Sequence, residues 1–164
     1  MSTTAAPARR RLLQGLLAVP LAAWAARVEA RDYTSAAEVL AEIDRLESDV
    51  DARLSAWAEA VPASAAFARS VRADHERHRA ARTVVRQRLR LAAASLPSSA
   101  KPARASLTLA QVQAVAQDLV HAYAEGLPAI GDARAVDALA RDMVDDARHL
   151  AVLQMWSETE EARG

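Results

Sequence analysis

Six side chains stand at spacings that suit metal ligation: Glu47, Asp74, His75, His78, Asp146 and His149. Asp74 and His78 are four residues apart, and Asp146-Ala147-Arg148-His149 is a carboxylate-x-x-His pair. On a helix each such pair lies on one face, on adjacent turns, where two side chains converge on one point. Imidazole combined with carboxylate suits iron, manganese or zinc, and the sequence does not choose among them. A redox-active ion held this way would activate oxygen or peroxide. The chain has no cysteine, which excludes a thiolate metal site, a disulfide scaffold and cysteine catalysis.

Four helices are predicted to position these residues. The first runs over 35–60, opened by the capping box Ser35-Ala36-Ala37-Glu38 and closed by Pro62. The second runs over 64–93 with Ser64 as N-cap. Residues 95–106 carry Pro97, Ser98, Ser99, Lys101 and Pro102, which is loop chemistry. The third helix covers 108–125 from a second capping box, Thr108-Leu109-Ala110-Gln111, and Gly126, Pro128 and Gly131 follow it. Asp132 caps the fourth, which runs to about Trp156 before a charged tail over 157–164 that is expected to fray. The short first and last connections make two antiparallel hairpins. The middle loop reaches roughly 43 Å at 3.3 Å per residue, close to the roughly 45 Å of the second helix. That predicts an all-α, ferritin-like four-helix bundle, two antiparallel hairpins joined by a long crossover loop. An up-down-up-down bundle is the alternative.

An inward stripe should be apolar, because a buried charge is costly unless it is paired or bound to metal. The first helix has the seam Ala36, Leu40, Ile43, Glu47, Val50, Leu54, Trp57 and Val61. Glu47 is its one clearly inward carboxylate, while Asp44 and Asp51 lie at the edge, within reach of water. Either a metal or an arginine of the second helix accounts for Glu47. The second seam is Phe67, Val71, Asp74, His78, Ala81, Val85 and Leu89, with His75 on its flank. The fourth is Val136, Leu139, Met143, Asp146, Ala147, Leu150 and Leu153, with His149 on its flank. In the third helix the stripe is Val112, Val115, Ala116, Leu119 and Tyr123, and His121 falls on the opposite, polar face.

Composition narrows the function classes. Basic and acidic residues balance at 21 each, which argues against a nucleic-acid binder that works by neutralising phosphates. Apolar residues make up 52%, aromatics 4%, and there are four glycines, a mixture that fits helices far better than a β-sandwich. The first 25 residues hold Arg9, Arg10 and Arg11 and no acid, then an apolar run Leu12–Ala23, then Ala23-Trp24-Ala25. This is the layout of a signal peptide, and the run is too short for a membrane span. The segment Arg9-Arg10-Arg11-Leu12-Leu13 fits a twin-arginine signal, with an ordinary secretory signal as the alternative. Residues 1–25 are therefore expected to be a leader and 26–164 a mildly acidic domain, periplasmic or secreted, with no stable membrane span once the leader is removed.

The stretch Leu119-Val120-His121-Ala122-Tyr123 to Pro128, then Asp132 to Leu153 with Asp146-Ala147-Arg148-His149, resembles exported bacterial ferritin-like domain proteins. Phe67 to His78, with Asp74-His75, is similar to related small exported four-helix domains. The resemblance covers about residues 35–156. It implies a bundle whose metals are held by one glutamate from each of two helices and a Glu-x-x-His pair from each of the others. Glu47 matches the first-helix carboxylate. His75-x-x-His78 stands where one pair is expected, with Asp74 as a source of carboxylate. Asp146-x-x-His149 matches the fourth-helix pair with a shorter acid, and the third-helix glutamate has no seam equivalent. These departures count against an active di-iron oxidase and fit a single or a decayed metal site. Two functions follow as expectations. One is an exported ferritin-like protein binding iron, manganese or zinc through Glu47, Asp74, His75, His78, Asp146 and His149. The other is a non-enzymatic exported module whose buried polar residues pair with arginines such as Arg72, Arg82 and Arg148, and whose surface binds a protein partner or a second copy.

Overall fold

The computed structural model describes residues 32–93 and 107–161; the leader expected over 1–25 and the loop expected over 95–106 lie outside these residues. Among the described residues there are four α-helices and no strand: α1 (Ala36–Ala60), α2 (Ala65–Arg88), α3 (Leu109–Gly126) and α4 (Ala133–Glu161). Short 3-10 turns, Pro62–Ser64 and Leu127–Ala129, sit inside the two tight connections.

The caps show why the helices begin and end where they do. Ser35 accepts from the Glu38 amide, but the Glu38 carboxylate reaches back to the Thr34 N–H and hydroxyl rather than to Ser35. The Thr108–Gln111 box is complete in both directions. Asp132 accepts from the amides of Arg134 and Ala135 and so starts α4. Ser64 does not cap α2, because its hydroxyl donates to the Val61 carbonyl. The second helix also stops at Arg88, five residues short of the expected Ala93. There Arg90 takes the left-handed conformation (φ 56°), and the Arg90 and Leu91 amides bond back to the Gln87 and Arg86 carbonyls, which closes the helix. α4 outruns its expected end at Trp156, and Trp156 is anchored against Trp57, with ring centroids 4.8 Å apart.

Around the core the helices run α1, α2, α4, α3, each packed on its two neighbours. All four neighbouring pairs are antiparallel. Asp44 faces Arg86 while Asp51 faces His75, so α1 and α2 oppose each other. Gly126, at the end of α3, packs on Val39 near the start of α1. Gln113, early in α3, bonds the Leu153 carbonyl late in α4. Arg88, at the end of α2, pairs with Asp132 at the start of α4. α2 and α3 are thus parallel across a diagonal, and the end of α2 and the start of α3 lie at opposite ends of the bundle. None of these helices is long and apolar enough to cross a membrane.

Apolar side chains fill the core at both ends, with Val39, Leu40, Ile43 and Leu139 at one and Leu54, Trp57, Val71 and Leu153 at the other. Between them lies a layer of charge, and it corrects the expected seams. On α2 the buried positions are Val71, His75, His78, Arg82, Val85 and Arg86, so His75 points in, Asp74 lies on the flank and two arginines enter the core. On α4 Asp142 is buried and Ala147 exposed. Asp44 is 4% exposed rather than within reach of water, and His121 is buried rather than on a polar surface.

Candidate metal centre

A buried charge needs a partner or an ion, and each helix contributes to this layer. α1 supplies Asp44, Glu47 and Asp51, α2 supplies His75, His78, Arg79, Arg82 and Arg86, α3 supplies Tyr123, and α4 supplies Asp142, Asp146 and His149. Two sets of three ligand atoms converge within it, and they share Asp146.

The first set is His75, Asp146 and His149. His75 lies between two carboxylates, with Nδ1 2.7 Å from Asp51 Oδ1 and Nε2 3.1 Å from Asp146 Oδ1. Burial opposes charge on the ring, but the hydrogen bonds to Asp146 and Asp51 outweigh it and push the His75 pKa up to about 10. Without a metal the ring is an imidazolium donating from both nitrogens. His149 Nε2 lies 2.9 Å from Asp74 Oδ2, while its Nδ1 stands 3.4 Å from Asp146 Oδ1 and makes no hydrogen bond. Each imidazole therefore has one nitrogen held by an outer carboxylate and the other turned towards the same oxygen of Asp146. Metal-bound histidines are oriented in this way. Burial pushes the Asp146 carboxyl up, but the His149 and His75 rings more than offset it and hold it below the usual carboxylate range.

The spacing fits an ion. Ligand atoms about 2.1 Å from a metal at tetrahedral angles stand about 3.4 Å apart, against 3.1 and 3.4 Å here. A cavity of about 10 Å³ touches all three residues and is otherwise walled by aliphatic side chains, among them Val50, Leu54, Leu119 and Leu153. A metal bound there would take the place of the His75 Nε2 proton, because a ligating imidazole must present a lone pair.

The second set is Glu47, His78 and Asp146. His78 Nδ1 is 3.3 Å from Glu47 Oε1 and 3.8 Å from Asp146 Oδ2. On its far side His78 faces Asp145 and Asp142 at 3.7 and 3.9 Å. Glu47 is fully buried and already engaged: Arg82 grips both of its oxygens, one at 2.7 Å, and the Tyr123 hydroxyl lies 3.4 Å from Oε1. Burial would raise the Glu47 pKa, but the His78 and Arg82 hydrogen bonds overcome it and hold the carboxyl below its usual range. Arg82, 1% exposed, also donates to Asp44 at 2.8 Å, and Arg86 donates to the other Asp44 oxygen at 2.5 Å. Asp142 is pushed up to about 6, chiefly by burial, which the nearby His78 and Arg82 only partly offset.

Of the six residues read from the sequence, Glu47, His75, His78, Asp146 and His149 fall in these two sets. Asp74 does not. It sits outside His149 and bonds that ring and Arg77, so it orients a histidine. Sequence reasoning missed Asp51, the corresponding holder of His75, and the buried Asp44, Asp142 and Arg86. Arg82 was foreseen as a partner for buried acids; Arg72 is exposed and Arg148 pairs with Asp145 at the surface. The signal for Arg82 was its place four residues after His78 and seven after His75, the spacing of one helix face. The chain matches no protein-family model, no curated protein and no solved structure.

Proposed function

We propose that this chain is an exported ferritin-like protein that binds a transition metal ion, of the iron, manganese or zinc class, in its bundle core. The observation that carries the reading is the pairing of His75 with Asp51 and of His149 with Asp74, which leaves both inner nitrogens directed at Asp146 Oδ1 beside a small cavity. The ferritin-like assignment is supported by the two hairpins and by parallel α2 and α3, whose joined ends lie at opposite ends of the bundle. Export is supported by Arg9-Arg10-Arg11, the apolar run and Ala23-Trp24-Ala25, which suit a leader delivering the protein to the periplasm or beyond. A twin-arginine route suits a protein that folds around its metal before export.

One observation favours a second reading. Arg82 neutralises Glu47 as an arginine partner would in a non-enzymatic helical module with a degenerate metal site. Calorimetric titration of the metal-free chain with iron(II), manganese(II) and zinc(II) separates the two. The metal reading expects at least one of them to bind the wild type and to bind His149→Ala at least 100-fold more weakly. No binding by any of the three, with thermal stability unchanged at saturating metal, would leave the module reading standing.

A further inference from the structure

Asp146 has two faces. Its Oδ1 serves His75 and His149, while its Oδ2 is buried, makes no hydrogen bond and lies on the side of His78 and Glu47. The carboxylate is thus placed between two cation positions, one on each side. Among the described residues that line the cavity at the first, the histidines are the only side chains able to carry positive charge. In the second, Glu47 is already held: a guanidinium from α2 spans Glu47, Asp44 and the Tyr123 hydroxyl, and Arg82 is only 1% exposed.

We propose that Arg82 is a built-in cation that takes Glu47 in place of a second metal ion, so that the centre takes one metal ion rather than two and works as a single-metal site. The inference deepens the metal-binding reading and rests on it for the first ion. Three features support it. The guanidinium is planar and always charged, and it grips both Glu47 oxygens at once, so that carboxylate is already neutralised and its bidentate face is taken. Glu47, His78 and Asp146, from three helices, each bring one ligand atom to a common region, so freeing Glu47 from Arg82 would complete a second ligand set. And without Arg82 the fully buried Glu47 would lose its guanidinium and Asp44 one of its two arginines, which is strongly destabilising. The positive charge is therefore supplied covalently by the chain itself, and it does not depend on metal supply. Arg86, on Asp44, and Arg79, whose Nε lies 3.7 Å from Glu47 Oε2, reinforce the same side.

The test is a count of ions per chain. Wild type and Arg82→Met are each stripped of metal, refolded with and without zinc(II), freed of excess, and analysed by native mass spectrometry alongside thermal melting. Arg82→Lys serves as the variant that keeps a cation in place. The expected result is one zinc in wild type and in Arg82→Lys, and two in Arg82→Met. Arg82→Met should also melt well below wild type without zinc and regain most of the loss with it. Two zinc ions in wild type would overturn the inference and leave the metal reading intact. Equal counts in wild type and Arg82→Met would overturn it as well, as would an Arg82→Met chain that folds neither with zinc nor without. No zinc in wild type but one in Arg82→Met would uphold Arg82 as the built-in cation and overturn metal binding by the natural chain.

Discussion

Raising the pH of the metal-free chain should release the charge clamp at His75, and the size of the effect can be worked out. The ring is 1% exposed and lies between Asp51 and Asp146. Its pKa rises from 6.5 to about 10 on folding. A folded value above the unfolded one means that the native state holds the proton more tightly. The resulting stability is complete below about pH 6.5 and is lost as the pH climbs through 10. By linkage the contribution is about 4 kcal/mol at pH 7, about 1 kcal/mol at pH 9 and close to zero at pH 11. Against a total stability of about 5–15 kcal/mol, that is a large share. The assay is urea unfolding in chelator, at steps from pH 6.5 to 11, for wild type and His75→Gln. The paired rings of Trp57 and Trp156 should give a fluorescence signal for the packing of α1 on α4. Glutamine keeps a hydrogen-bonding side chain but takes no proton, so the gap between the two proteins should narrow by about 4 kcal/mol across the series. A gap that stays constant from pH 7 to 10.5 would refute the clamp.

Other expectations concern the rest of the charged layer and the packing of the core. Asp142 titrates near 6 instead of 3.8, so its ionisation costs stability as the pH rises through 6. Asp142→Asn should be more stable than wild type at pH 7, by up to about 3 kcal/mol, and indistinguishable from it near pH 4 in denaturant titrations. Asp51→Asn should weaken metal binding about 10- to 100-fold in calorimetry by loosening the His75 ring, with the helical circular dichroism unchanged. Gly126→Ala would drive a methyl group into Val39 Cγ1 and to 3.0 Å from Cγ2. It should cost about 1–3 kcal/mol, and Val39→Ala in the same chain should recover part of that in thermal melts.

The helices were legible because their ends are written in local chemistry. The Thr108–Gln111 box, the Asp132 cap and Pro62 act within a few residues of themselves. The early end of α2 was not legible, since Arg90 takes a left-handed conformation that sequence readers assign to glycine or asparagine. The site was half legible for a related reason. On α2 the seam could pass through 71, 74, 78, 81 and 85 or through 71, 75, 78, 82 and 85, and apolar content favours the first because Ala81 is apolar and Arg82 charged. The structure takes the second, because Asp44 and Glu47 on α1 need the guanidinium more than the core needs an alanine. That rotation brings His75 inward and leaves Asp74 outside. Asp51 and Asp142 were unreadable for the same reason: a carboxylate at the edge of a stripe is buried only if a partner on another helix comes to meet it, and spacing along one helix says nothing of that partner.

X-ray absorption at the zinc edge, on the zinc-loaded chain and on His149→Ala, addresses the claimed centre most directly. The account predicts two imidazole nitrogens at about 2.0 Å together with oxygen ligands in the wild type, and one imidazole or no retained zinc in the variant. An all-oxygen shell, or an imidazole count unchanged by His149→Ala, would contradict a metal centre built on His75, Asp146 and His149.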